Sequence, residues 1–167
     1  MKQLLPYRII TFILLPIAAV FGLFTLIMLL AALANPAILL GVFLFASMVI
    51  YVIASFIFLQ KGIDKNQLCN HSLKDWIRVN AFVSIVYCVL MLLNSVTLLG
   101  SPKLLNDTIH EMLSQQQNLM PLPEATYIRI IKGVFYFLAI YSAILLVHII
   151  LTFRVLKAYK HMFAEKG

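Results

Sequence analysis

Apolar positions in this chain fall in long unbroken runs, not in alternation with polar ones. Between residues 9 and 59 there is no Asp, Glu, Lys or Arg. As an α-helix rising ~1.5 Å per residue, that run would reach roughly 76 Å. A bilayer offers a hydrocarbon layer of only ~30 Å, so the run must double back. The turn signal near its middle is Asn35-Pro36. Proline disfavours helical geometry in the residue before it, and asparagine tolerates turn conformations. Proline also suits the first position of the next helix, where its missing N–H is not needed. The pattern predicts a tight hairpin, with span 1 over about residues 9–34 and span 2 over about 36–60.

Two further charge-free runs, residues 79–99 and 133–153, are 21 residues long. A spanning helix needs about 20. They predict span 3 over about 77–99 and span 4 over about 129–153. Helix is required because hydrocarbon leaves no partner for an open backbone amide. A β-barrel would show alternating polarity in segments of about ten residues, and these runs are apolar all round. The predicted fold class is all-α: an integral membrane four-helix bundle, with residues 1–167 forming a single four-span domain.

The segment between spans 3 and 4 has a different pattern. Ser101-Pro102 reads as an N-cap followed by proline at the first helical position. Leu104, Leu105, Ile109, Met112 and Leu113 then share one helical face, while Asn106, Asp107, His110 and Gln115 lie off it. This predicts an amphipathic helix over about residues 102–117, ended by Pro121 and Pro123. Such a helix rests on the bilayer surface or caps the bundle; the sharper reading is a lid or a partner-docking element. Asn106-Asp107-Thr108 is also a glycosylation sequon, relevant in a eukaryotic setting.

Composition agrees with the pattern: 63% of residues are hydrophobic and 11% charged, against about 25% charged in soluble domains. The net charge of +7 would raise the question of nucleic acid, but no basic run with interleaved aromatics forms a groove for it. The charges instead report topology. Ten of the 13 Lys and Arg residues lie before span 1, between spans 2 and 3, or after span 4; Lys103, Arg129 and Lys132 lie on the other side. Basic residues mark the cytoplasmic face, so both termini are expected inside, with the bacterial cytoplasmic membrane the favoured setting. Lys157 and Lys160 follow span 4 and are expected to meet anionic headgroups. Cleavage of span 1 as a signal peptide is the alternative, since Lys2 and Arg8 precede it and Ala32-Leu33-Ala34 resembles a small-x-small site. The 26-residue apolar stretch is much longer than a signal core of about 7–15 residues.

Candidate chemistry lies on two helix faces. Asn80, Ser84, Tyr87, Met91 and Asn94 are spaced to fall on one face of span 3, with Cys88 and Ser95 beside them. Tyr141, Ile144, His148 and Thr152 share a face of span 4. The candidate polar cluster is therefore Asn80, Ser84, Tyr87, Asn94, Tyr141 and His148. His148 and Asn80 each lie a few residues from the cytoplasmic end of their span, so they are expected at one depth and facing each other, directly or through water. The functional reading is a polar path or groove with a titratable histidine. The plainer reading is hydrogen-bonded helix packing, which small polar residues commonly provide in membranes.

No nucleophile–base pair, phosphate-binding glycine loop, metal-ligand spacing or redox Cys-x-x-Cys motif is present. No catalytic residue, metal or cofactor is therefore assigned. The expected partners are the lipid bilayer and other membrane proteins or further copies of the chain. The leading expectation is an accessory, scaffold or assembly subunit. The alternatives are a small oligomeric channel or transporter using the polar faces of spans 3 and 4, and a lipid-modifying enzyme. Ala18 and Gly22 in span 1, and Ser84 and Cys88 in span 3, have the four-residue spacing that lets helices approach closely.

Overall fold

A computed structural model describes residues 4–115 and 124–163, with side chains throughout except at 112–115 and 124. The described chain is all-α. Helix α1 spans Leu4–Ala34. A single 3-10 turn, Pro36–Ile38, leads into α2, Leu39–Ile57. The chain then widens into a π-helical segment, Phe58–Asp64. Helix α3 spans His71–Gly100, α4 spans Pro102–Gln115 and α5 spans Glu124–Ala158. A second 3-10 turn, Lys160–Met162, follows. Four of these segments are long and apolar enough to cross a membrane: Leu4–Ala34, Pro36–Asp64, His71–Gly100 and Ala125–Ala158. The chain is a multi-pass membrane protein.

The hairpin forms where the sequence places it. Asn35 is extended at φ −137°, and its Oδ1 accepts the Ala37 N–H at 3.1 Å. Proline begins the new helix, which passes through one tighter turn before settling into α geometry. Small residues set the hairpin's packing: Ala18 is buried, and a Cβ on Gly22 would stand 3.5 Å from Val49 of α2. Phe21 and Phe24 of α1 meet Phe45 of α2 edge-on, at 5.8 and 5.7 Å between ring centres.

The helices outrun the apolar runs. The π-helical segment carries α2 to Asp64, and α3 starts at His71, so the connection is only residues 65–70. Two features explain the early start of α3. Asn70 Oδ1 accepts the Ser72 N–H at 3.2 Å, and His71 meets Asp75 one turn on at 3.1 Å. At the other end of the connection Asn66 takes a left-handed φ of 51°, which asparagine tolerates better than most residues. The Gln67 N–H then closes on the Lys61 carbonyl at 3.0 Å.

The chain divides into two compact units. The first joins Met1–Tyr87 with Leu145–Gly167, and the second is Cys88–Ile144. In the first unit the segment after α5 turns back onto the 65–70 connection. The Cys69 N–H donates to the Met162 carbonyl at 2.7 Å, and Phe163 stacks on Phe58 with ring centres 5.0 Å apart. The Lys74 ammonium lies 5.6 Å from the centre of the Phe163 ring. A Cβ on Gly62 would come within 2.9 Å of the Phe58 ring and 3.2 Å of Cys69 Sγ, so a larger residue there displaces the aromatic. Burial pushes the Cys69 thiol above its ordinary range, with the Lys61 ammonium pulling partly back.

In the second unit α4 forms as its cap predicts. Ser101 Oγ accepts the Leu104 N–H at 3.4 Å, and Pro102 is the first helical residue. Leu105 and Ile109 are buried one turn apart, and Asn106, Asp107 and His110 are exposed. Leu104, expected on the buried face, is 42% exposed. Among the described side chains of α4 the buried apolar residues are the i, i+4 pair Leu105 and Ile109. The side chains of Met112, Leu113 and Gln115, and the helix end at Pro121 and Pro123, fall outside the described residues.

Candidate functional site

Three helices of the first unit each contribute a polar pair one turn apart. α1 gives Tyr7 and Thr11, α2 gives Tyr51 and Ser55, and α5 gives His148 and Thr152. In each apolar run, i and i+4 lie on the same face, so each pair is presented together. None of the six is more than 1% exposed.

His148 is the hub. Its Nε2 lies 2.8 Å from the Thr11 hydroxyl, and its Nδ1 lies 2.8 Å from the Tyr51 hydroxyl. The Tyr51 hydroxyl is also 2.7 Å from that of Thr152. Two hydroxyls return to their own helices: Thr11 donates to the Tyr7 carbonyl at 2.7 Å, and Thr152 to the His148 carbonyl at 2.8 Å. Tyr7 lies flat against the imidazole, with ring centres 5.1 Å apart and planes 11° from parallel. Its hydroxyl donates to the Ser55 carbonyl at 3.1 Å. The Tyr51 ring meets the imidazole edge-on at 5.6 Å. Polar groups removed from water must be hydrogen-bonded or they cost several kcal/mol, and this cluster satisfies both ring nitrogens while tying α1 and α2 to α5.

The sequence-predicted residues are distributed differently from the expected facing pair. Asn80 is buried, but its Nδ2 donates to the Trp76 carbonyl of its own helix at 2.8 Å. Ser84 is buried and likewise donates back, to the Asn80 carbonyl at 2.7 Å. Both His148 nitrogens are taken by α1 and α2, so the expected Asn80–His148 contact is replaced by Thr11 and Tyr51. Tyr87 is buried, its ring 5.4 Å from that of Phe45. Asn94 is exposed, and Tyr141, in the second unit, is buried with its ring stacked on Phe137. Cys88 and Ser95 are also buried there. Of the expected span 4 face, His148 and Thr152 belong to the cluster.

Sequence reading missed Tyr7, Thr11, Tyr51 and Ser55. A signal was present: a polar pair four residues apart straddling the start of span 1 and another toward the end of span 2, both at the depth of His148. Ser55 enters through its backbone carbonyl, which no side-chain pattern signals.

A second feature of the same unit is a cavity of about 370 Å³ between α2 and α3. Phe43, Ala46 and Ile50 of α2 and Val79 of α3 give it apolar walls. Ser47, Asp75, Trp76 and Asn80 complete the lining. The Ser47 hydroxyl is turned back to the Phe43 carbonyl. Among the described residues no group of three or more His, Cys, Asp or Glu side chains is placed to hold a metal ion.

These features define a class: a four-helix membrane protein with a histidine–hydroxyl cluster buried among three of its helices. Comparison with protein-family models, with curated proteins and with solved structures finds no match.

Proposed function

We propose that the protein is a non-catalytic membrane subunit that assembles laterally, taking a transmembrane helix of a partner or of a second copy into the α2–α3 groove. Asn80 carries this reading. It lines the groove, its amide nitrogen is spent on Trp76, and its side chain makes no other hydrogen bond among the described residues. An amide oxygen without a donor is costly beside apolar walls. A Ser, Thr, Asn or Gln from a neighbouring helix supplies such a donor in membranes, at about 0.6–1.7 kcal/mol per bond. The histidine cluster fits the same role, because it ties α2, one wall of the groove, to α1 and α5.

The channel or transporter reading draws on His148, an ionisable ring inside an apolar run. Under it, cysteines placed at Asn80, Ser84 and Asn94 react with water-soluble thiol reagents. Under the assembly reading those at Asn80 and Ser84 are protected. The direct test places a photo-crosslinking residue at Val79, in the groove, and a control at Val86, also exposed on α3. In native membranes Val79 should give one protein adduct of defined mass, absent from Val86 and lost with Asn80→Leu. Adducts to lipid alone at both positions overturn the assembly reading.

A further inference from the structure

The hydrogen-bond donors around His148 do not add up for a neutral ring. Thr11 and Thr152 each have one hydroxyl proton, and both are committed to helix carbonyls, of Tyr7 and His148. Thr152 must then accept from Tyr51 across their 2.7 Å contact. With its one proton so placed, the Tyr51 oxygen accepts from Nδ1, and the Thr11 oxygen accepts from Nε2. All five contacts, each 2.7 or 2.8 Å, are made together only when both ring nitrogens carry a proton. A neutral ring lacks one of those protons.

Either neutral tautomer nevertheless fits after a hydroxyl rotation. If Nδ1 is bare, Thr152 turns its proton to Tyr51 and Tyr51 turns its own to Nδ1. The sacrifice is the Thr152 bond to the His148 carbonyl. If Nε2 is bare, Thr11 turns to it and gives up the Tyr7 carbonyl. No heavy atom moves in either case, since each hydroxyl already stands within bonding distance of both partners.

We propose that His148 is an internal proton-exchange site, at which the ring takes up, releases or shifts a proton between a Thr11 arm on α1 and a Tyr51–Thr152 arm on α2 and α5. Uptake draws one proton from the aqueous phase and adds one positive charge, which no anion neutralises. The groups facing the ring are Tyr7 and Thr11 from α1, Tyr51 from α2, and Thr152 from its own helix. Among the described residues no carboxylate, lysine or arginine contacts it. The Arg8–Asp64 pair, next in sequence to Tyr7, lies between half-exposed side chains. The nearly parallel Tyr7 ring offers its electron-rich face to a cationic imidazole. The site goes beyond the assembly reading and stands or falls independently of it.

The test is nitrogen NMR of the full chain in lipid nanodiscs, with labelled histidine and His71, His110 and His161 replaced by glutamine. In the parent, both ring nitrogens should give signals averaged between protonated and bare positions at neutral pH, and two protonated signals in acid, with helicity retained. Thr11→Val deprives Nε2 of its partner and should fix the proton on Nδ1. Tyr51→Phe should fix it on Nε2. A hydrogen bond to a charged group is roughly twice as strong as a neutral one, so both variants should take up the second proton at lower pH than the parent, by about one unit. A purely structural histidine would show one fixed tautomer in all three proteins and no second proton before the fold is lost, and that result overturns the proposal. Should a variant fail to assemble, the parent's acid titration decides by the same criterion.

Discussion

His148 shows how a histidine can sit in the core of an apolar bundle with both nitrogens satisfied by neutral hydroxyls. Replacing Thr152 by valine keeps the shape and removes one hydroxyl, yet Tyr51 retains Nδ1 as a partner. The cost should be near that of one interhelical bond in a membrane, about 0.6–1.7 kcal/mol. His148→Ala is harsher. It leaves a void beneath Tyr7 and strips the Thr11 and Tyr51 hydroxyls of a shared partner, and should cost about 2–4 kcal/mol. Titration with SDS in mixed micelles, followed by helicity, measures both. Equal losses for the two variants would mean that the ring's packing and second hydrogen bond contribute nothing. At this scale the sequence revealed two of the six residues of the site. His148 stands out because no other Asp, Glu, Lys, Arg or His interrupts its run, and Thr152 follows from helical spacing. Thr11 and Tyr51 are ordinary residues in their runs, and only the rotation of α1 and α2 about their axes, set by packing, turns them toward α5.

Caps and turns are local, and here the sequence spoke clearly. Asn35-Pro36 and Ser101-Pro102 act through side-chain oxygens and a fixed proline φ, with no need of distant contacts. The segment after α5 behaves otherwise. Its lysines predict headgroup contact, whereas its Met162 carbonyl and Phe163 ring find partners near residues 58–69. Periodicity and charge carry no information about such a non-local strand-like contact. The contact shields Cys69, a residue only 5% exposed, whose thiol burial pushes above its ordinary range. Phe163→Ala should open it and raise the rate of Cys69 alkylation by a maleimide on the order of tenfold, as expected when a locally stable cover is loosened. An unchanged rate would show that Phe163 does not hold the cover closed. Cys88, buried in the second unit, serves as the internal control.

For the whole molecule, span number and helical class follow from one physical constraint: an apolar run in hydrocarbon has to satisfy its own amides. The run lengths set four crossings, and among the described residues four helices are able to make them. Their ends were not legible, because helices continue through the headgroup zone wherever a cap such as Asn70 allows. Orientation rests on the distribution of basic residues. Reporter fusions after residues 68 and 167 should be active on the cytoplasmic side, and one inserted near residue 118 on the opposite side. Fusions at 68 and 167 on opposite faces would refute the topology.

The backfolded segment has a consequence for biosynthesis. The turn between the second and third crossings is translated long before Met162 and Phe163, and it lacks its backbone partner until the fourth crossing has left the ribosome. Ribosomal stalling or premature termination before that point would release a chain with Phe58 and Cys69 uncovered, a mark by which membrane proteases could tell unfinished copies from finished ones.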